Sequence, residues 1–129
     1  MTMPHERFRS IGWGCELLAV LQSDPGVPRE LRQAAARLQA TYPTSHKLIE
    51  LLQNPGREFP AAAGQAIEDA RVLFEQAQQL GVGSDETRRH LLFTMRHFPL
   101  RGWAAIADQA ARLQRLDEWL LESWRDAER

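Results

Sequence analysis

The chain has 129 residues, 43% apolar and 26% charged, with 16 basic side chains against 17 acidic ones and a net charge of -1. This is the make-up of one soluble globular domain spanning residues 1–129, able to bury roughly 65% of its unfolded surface without disulfide or metal staples. The near-neutral balance disfavours a nucleic-acid coat or a polybasic membrane tether, the wealth of Leu, Ala and Trp disfavours disorder, and no stretch approaches the ~18 apolar residues of a membrane span. The opening residues lack a secretory signal's apolar core. The single cysteine, Cys15, can form no internal disulfide, so a reducing cytoplasm is the expected home. Fifteen of the sixteen basic residues are Arg, the exception being Lys47; a genome rich in G and C accounts for that skew.

No run of alternating β-branched residues predicts a strand, and the chain reads as helices separated by Pro and Gly. The first helical stretch covers about 6–22. Phe8, Ile11, Cys15 and Ala19 repeat on one face, but Trp13, Leu17, Val20 and Leu21 fill the other, so this helix is central or shared with a partner. Gly12 and Gly14 weaken a helix, which is consistent with close approach by another element. Asp24, Pro25 and Gly26 break it. Pro28 suits the first turn of a second helix, 28–41, whose stripe is Leu31, Ala34, Ala35, Leu38 and Tyr42, and Pro43 ends it. Thr44 or Ser45 caps a short helix through Leu52, and residues 54–60 form a linker.

A fourth helix restarts near Ala61 or Gln65 and runs to Leu80, burying Ile67, Ala70, Leu73, Phe74 and Ala77. Gly81 stops it and Ser84 caps the next, with Asp85 and Glu86 placed favourably for the helix dipole. That fifth helix, 85–97, is expected to bury Thr87, Leu91, Leu92, Met95 and Phe98 before Pro99 ends it. Amphipathic segments at 100–113 (Trp103, Ala104, Ala107, Ala110) and 116–127 (Leu116, Trp119, Leu120, Trp124) follow. The expected architecture is an all-α bundle of six or seven helices.

A shift of 56 residues superimposes Tyr42-Pro43 on Phe98-Pro99, Glu30 and Arg32 on Glu86 and Arg88, Leu17 on Leu73 and Gln22 on Gln78. Two repeated units, about 10–53 and 66–113, would account for these matches. Repeats bear on organisation and carry no activity.

Catalytic chemistry is thin, and neither metal nor cofactor is expected. His90 and His97 are two turns apart, about 10 Å, too far to share one metal. Glu86 is placed to pair with His90 four residues on. Cys15 has no basic neighbour at helical spacing and reads as a small hydrophobe. Gly81-Val82-Gly83-Ser84 lacks the Gly and Lys of a phosphate loop, and Glu68, Asp69 and Glu75 read as solvated. The four tryptophans, Trp13, Trp103, Trp119 and Trp124, read as core. An enzyme or a small-ligand binder is therefore disfavoured.

A DNA-binding helix–turn–helix is suggested by Ala77 and Gly81 four apart and by Arg88, Arg89 and Arg96 on the following helix. The connection is too long, Thr87 and His90 are polar where packing is needed, and Asp85 and Glu86 would repel phosphates. A weak DNA-binding regulator using those three arginines is the alternative reading.

The fifth helix offers a different feature. With Leu91, Leu92, Met95 and Phe98 inward, Phe93 points away among Glu86, Arg89, Arg96 and His97. An aromatic ringed by Arg has the anchor-and-rim composition of a protein interface, unless segments 100–113 or 116–127 cover it.

The M-T-x-P-x-E-R opening of residues 1–7, the Trp13-Gly14-x-Glu16-Leu17-Leu18 stretch, Val27-Pro28 through Tyr42-Pro43-Thr44, and the block from Glu86 to Pro99 (E-T-R-R-x-L-L-x-T-x-R-H-F-P) together resemble a family of short, uncharacterised proteobacterial proteins of Pseudomonas and Burkholderia type. Where that family carries an acidic residue near the start, this chain has His5. The resemblance implies a bacterial cytoplasmic protein and assigns no site residue. The reading as a whole is a non-enzymatic helical module that binds another protein, or itself as a homodimer, and regulates its partner in the manner of an immunity, antitoxin or anti-activator factor.

Overall fold

The computed structural model describes residues 4–53 and 60–102. These contain five helices and no strand: α1 (Pro4–Ser23), α2 (Arg29–Gln39), α3 (Ser45–Gln53), α4 (Ala61–Leu80) and α5 (Asp85–His97). The all-α class is as expected. Most of the 54–60 linker, and the helices expected after residue 102, lie outside the described residues. Residues 100–102 do not open a helix; they form a turn with Gly102 at φ +88°. No helix among the described residues is long and apolar enough to cross a membrane.

The four longer helices close a ring: α1 packs on α2, α2 on α4, α4 on α5, and α5 back on α1. The core inside that ring is made by Ile11, Leu17, Leu18 and Leu21 of α1, Leu31 and Ala35 of α2, Ile67, Ala70, Phe74 and Ala77 of α4, and Leu91 of α5, all buried. α1 is apolar on two sides because α2 and α5 cover both. Trp13, expected in the core, stands 37% exposed, and the other three tryptophans lie outside the described residues.

Gly14 explains how closely α1 is approached. A Cβ there would overlap the Tyr42 phenol and stand 3.0 Å from the Phe98 ring. Tyr42 follows α2, and its hydroxyl donates to the Ile11 carbonyl at 2.5 Å. Pro28 is the residue before the first turn of α2 rather than part of it. Thr44, not Ser45, caps α3, its hydroxyl accepting from the Lys47 N–H at 3.2 Å.

α4 ends at Gly81 in the left-handed conformation, φ +62°, with the Gly81 and Val82 N–H groups satisfied by Gln78 and Ala77. Ser84 caps α5 by accepting from the Thr87 N–H. The chain leaving α5 is tied back to α4. Arg71 donates to the carbonyls of Phe98 and Pro99 at 3.2 and 3.0 Å, and the Phe98 ring meets Phe74 edge-on at 5.5 Å. Glu68 and Glu75 are therefore not simply solvated: Glu68 accepts from the Gly102 N–H at 2.8 Å, and Glu75 pairs with Arg71 at 2.8 Å and Arg101 at 3.0 Å.

Candidate docking face on the fifth helix

The side of α5 turned to the core is set by Thr87, Leu91 and Thr94, all buried, with Phe98 continuing the line. Two of these are threonines, which bury only when their hydroxyls find partners. Thr87 donates to Asp24 at 2.5 Å, and Thr94 lies 3.1 Å from His90 Nδ1. This line is rotated from the expected one, so Leu92 is not inward. It is 66% exposed, and Phe93 beside it is 57% exposed.

At 100° per residue, Arg89 and Arg96 lie along the centre of the outer face with Leu92 and Phe93 to either side. These four, spaced i, i+3, i+4 and i+7, make one continuous ridge about 10 Å long. Arg89 and Arg96 are exposed. Neither has an ion-pair partner among the described residues. A shallow depression at the near end is lined by Asp85, Arg88, Arg89 and Leu92, and Arg88 is engaged there by Asp85. Leu100, beyond the helix, is 72% exposed.

The expected site residues divide accordingly. Arg89, Phe93 and Arg96 come together. Glu86 is exposed on the far rim of Phe93. His97 is half-buried and turned towards α1, with Nδ1 3.4 Å from Glu6 and its carbonyl accepting from the Ser10 hydroxyl at 3.0 Å. His90 pairs with Glu16 of α1, at 4.0 Å, rather than with Glu86. Both histidines thus serve the seam between α1 and α5.

The N-terminus of α5 is acidic. Asp24, in the loop between α1 and α2, accepts from the Thr87 hydroxyl and from the Ser84 and Gly26 N–H groups at 2.8 Å each. Those hydrogen bonds, the Thr87 one foremost, hold its carboxyl down to about 2. With Asp85 and Glu86 exposed alongside, three carboxylates crowd the end of the helix where a phosphate would otherwise bind.

Burial, reinforced by the charge of Glu16, pushes the Cys15 thiol up, away from the reactive thiolate. Burial likewise raises the Tyr42 phenol. Among the described residues, no three His, Cys, Asp or Glu side chains are grouped to hold a metal. No family model, curated protein or solved structure matches the chain.

Proposed function

We propose that this protein is a non-enzymatic helical interaction module that regulates a partner protein, as immunity, antitoxin or anti-activator factors do, and that it docks through the outer face of α5. One observation carries the reading. Displaced by 56 residues, the ridge Arg89, Leu92, Phe93 and Arg96 corresponds to Gln33, Ala36 and Arg37 on α2 and Ala40 at its C-cap, also exposed. The fold tolerates small and polar residues at equivalent positions, so two large apolar side chains on α5 are not demanded by folding. Exposed aromatic and aliphatic side chains set among arginines are the usual composition of a binding anchor.

That comparison rests on the repeat, which several features support. α2 begins at Arg29 and α5 at Asp85, 56 residues apart. Ile11 and Ile67, Leu17 and Leu73, Leu31 and Thr87, Ala35 and Leu91, and Tyr42 and Phe98 are buried in both units. The two interhelical loops face each other, the Gly83 N–H donating to the Gly26 carbonyl at 3.3 Å. The resemblance to short proteobacterial proteins and a cytoplasmic setting belong to the same reading.

DNA binding through Arg88, Arg89 and Arg96 is disfavoured by the carboxylates of Asp24, Asp85 and Glu86 and by the Arg88–Asp85 pair. Affinity capture from the native host tests the proposal, using the parent chain, Phe93→Glu and Arg37→Glu as baits, each checked by circular dichroism. A partner kept by the parent and Arg37→Glu but lost by folded Phe93→Glu is the expected result. Identical retention by all three baits, or tight duplex binding with steep salt dependence, overturns it.

A further inference from the structure

The outer face of α5 carries its own complement. We propose that it pairs with α5 of a second copy of this chain, the two helices lying antiparallel about a two-fold axis level with Leu91. This rests on the reading of α5 as the docking face, and it adds that a partner has to displace a copy of the protein from that face.

Glu86, Arg89, Phe93 and Arg96 are all exposed and follow one another at steps of three, four and three residues. That is the spacing of a helix–helix seam, and it gathers the four within about 80° of the helix circumference. Asp85 is engaged by Arg88, whereas Glu86, Arg89 and Arg96 have no ion-pair partner among the described residues.

Residue 91 is the midpoint both of Glu86 and Arg96 and of Arg89 and Phe93. A two-fold axis at that level therefore satisfies both pairs at once. Glu86 of each copy meets Arg96 of the other, and each Arg89 guanidinium lies over the other copy's Phe93 ring, a stacking that arginine favours. Leu92, next to the axis level in sequence, meets its own counterpart beside the seam. A parallel copy would set Arg89 on Arg89 and Arg96 on Arg96, so the charges select the antiparallel register. A two-fold interface uses the same patch on both copies and needs it to match itself.

The corresponding positions at α2, Glu30, Gln33, Arg37 and Ala40, are exposed as well. About their own midpoint they pair Glu30 with Ala40 and Gln33 with Arg37, with neither opposite charges nor an aromatic ring. The self-match is thus a property of α5 and not of its counterpart. The contact is small, a handful of side chains from each copy against the ~20–30 residues a side of a standard interface. Pairing is therefore weak and concentration-dependent, and a partner offering a larger surface displaces the copy.

Sedimentation velocity of the purified full chain over a concentration series tests this, each variant being checked by circular dichroism. The parent is expected to pass reversibly from monomer to dimer, less readily as salt rises. Glu86→Arg alone and Arg96→Glu alone should each weaken pairing about tenfold or more, because each sets like charges together on both sides of the axis. An equimolar mixture of those two variants should recover it, since opposite charges then face each other at both ends. Phe93→Ala adds no charge and should weaken pairing too, which keeps the test open if a reversed chain fails to fold; Arg37→Glu on α2 should leave pairing unchanged. A parent that stays monomeric at every concentration, a dimer indifferent to both reversals, or a mixture that pairs no better than its components overturns the proposal. The two readings fail separately: a dimer with this charge pattern and no captured partner defeats the docking function alone, and a partner captured through Phe93 by a monomeric parent defeats this inference alone.

Discussion

The Asp24 carboxylate accepts the Thr87 hydroxyl at 2.5 Å across 63 positions of sequence, so the loop between α1 and α2 completes the cap of α5. The same carboxylate takes the Ser84 N–H, fixing where the helix that carries the docking ridge begins. Asp24→Ala removes three hydrogen bonds to a charged acceptor. Because the group is open to solvent, the expected loss is only about 1–2 kcal/mol, read from urea denaturation at pH 7.

The pH dependence has a definite sign. The Asp24 carboxyl titrates at about 2 in the folded protein, against an ordinary aspartate value near 4. Its contribution is therefore whole above about pH 4 and is lost as the pH falls towards 2. The stability gap between parent and Asp24→Ala should be constant from pH 7 to 5 and should narrow below pH 4. A gap that widens on acidification contradicts the assignment.

Gly14 and Tyr42 make a second test. Gly14→Ala drives a methyl into the Tyr42 phenol and against the Phe98 ring, an overpacking expected to cost about 1–3 kcal/mol. Tyr42→Phe loses the bond to Ile11, about 1 kcal/mol. Removing the hydroxyl also makes room for the methyl, so the double variant should be less destabilised than the sum of the singles. Additivity in a double-mutant cycle would mean that the two side chains do not meet.

Three adjacent residues separate core from surface on α5. Leu91 is 1% exposed, whereas Leu92 and Phe93 are more than half exposed. Leu91→Ala is expected to lower stability by about 2–4 kcal/mol, and Leu92→Ala by no more than about 0.5 kcal/mol. Thermal unfolding monitored by circular dichroism measures both. A Leu92→Ala loss as large as that of Leu91→Ala would place Leu92 in the core.

This triplet also marks where sequence reasoning stops. The bounds of α5, the Gly81 stop, the Ser84 cap and the outward Phe93 follow from punctuation and spacing. The rotation of the helix does not. Leu91, Leu92 and Phe93 cannot all face inward, and apolar periodicity favours Leu92 over Thr94 because leucine is the more apolar of the two. Thr87 and Thr94 bury because Asp24 and His90 satisfy their hydroxyls, and the Asp24 partnership is contributed from a remote loop. Asp24 reads from sequence only as a turn former, its Asp-x-Gly pattern visible and its hold on Ser84 and Thr87 not. The pairing of His90 with Glu16 and His97 with Glu6 is hidden in the same way, since i, i+4 spacing points His90 to Glu86 instead.

The central claim is that α5, and not its counterpart α2, meets a partner. Site-specific photocrosslinking in the native host tests it most directly, with a benzophenone amino acid placed at Leu92 or at Ala36 in the full chain. The account predicts a discrete adduct with another protein from position 92 and none from position 36. The same adducts from both positions, or no protein adduct from position 92, would contradict it.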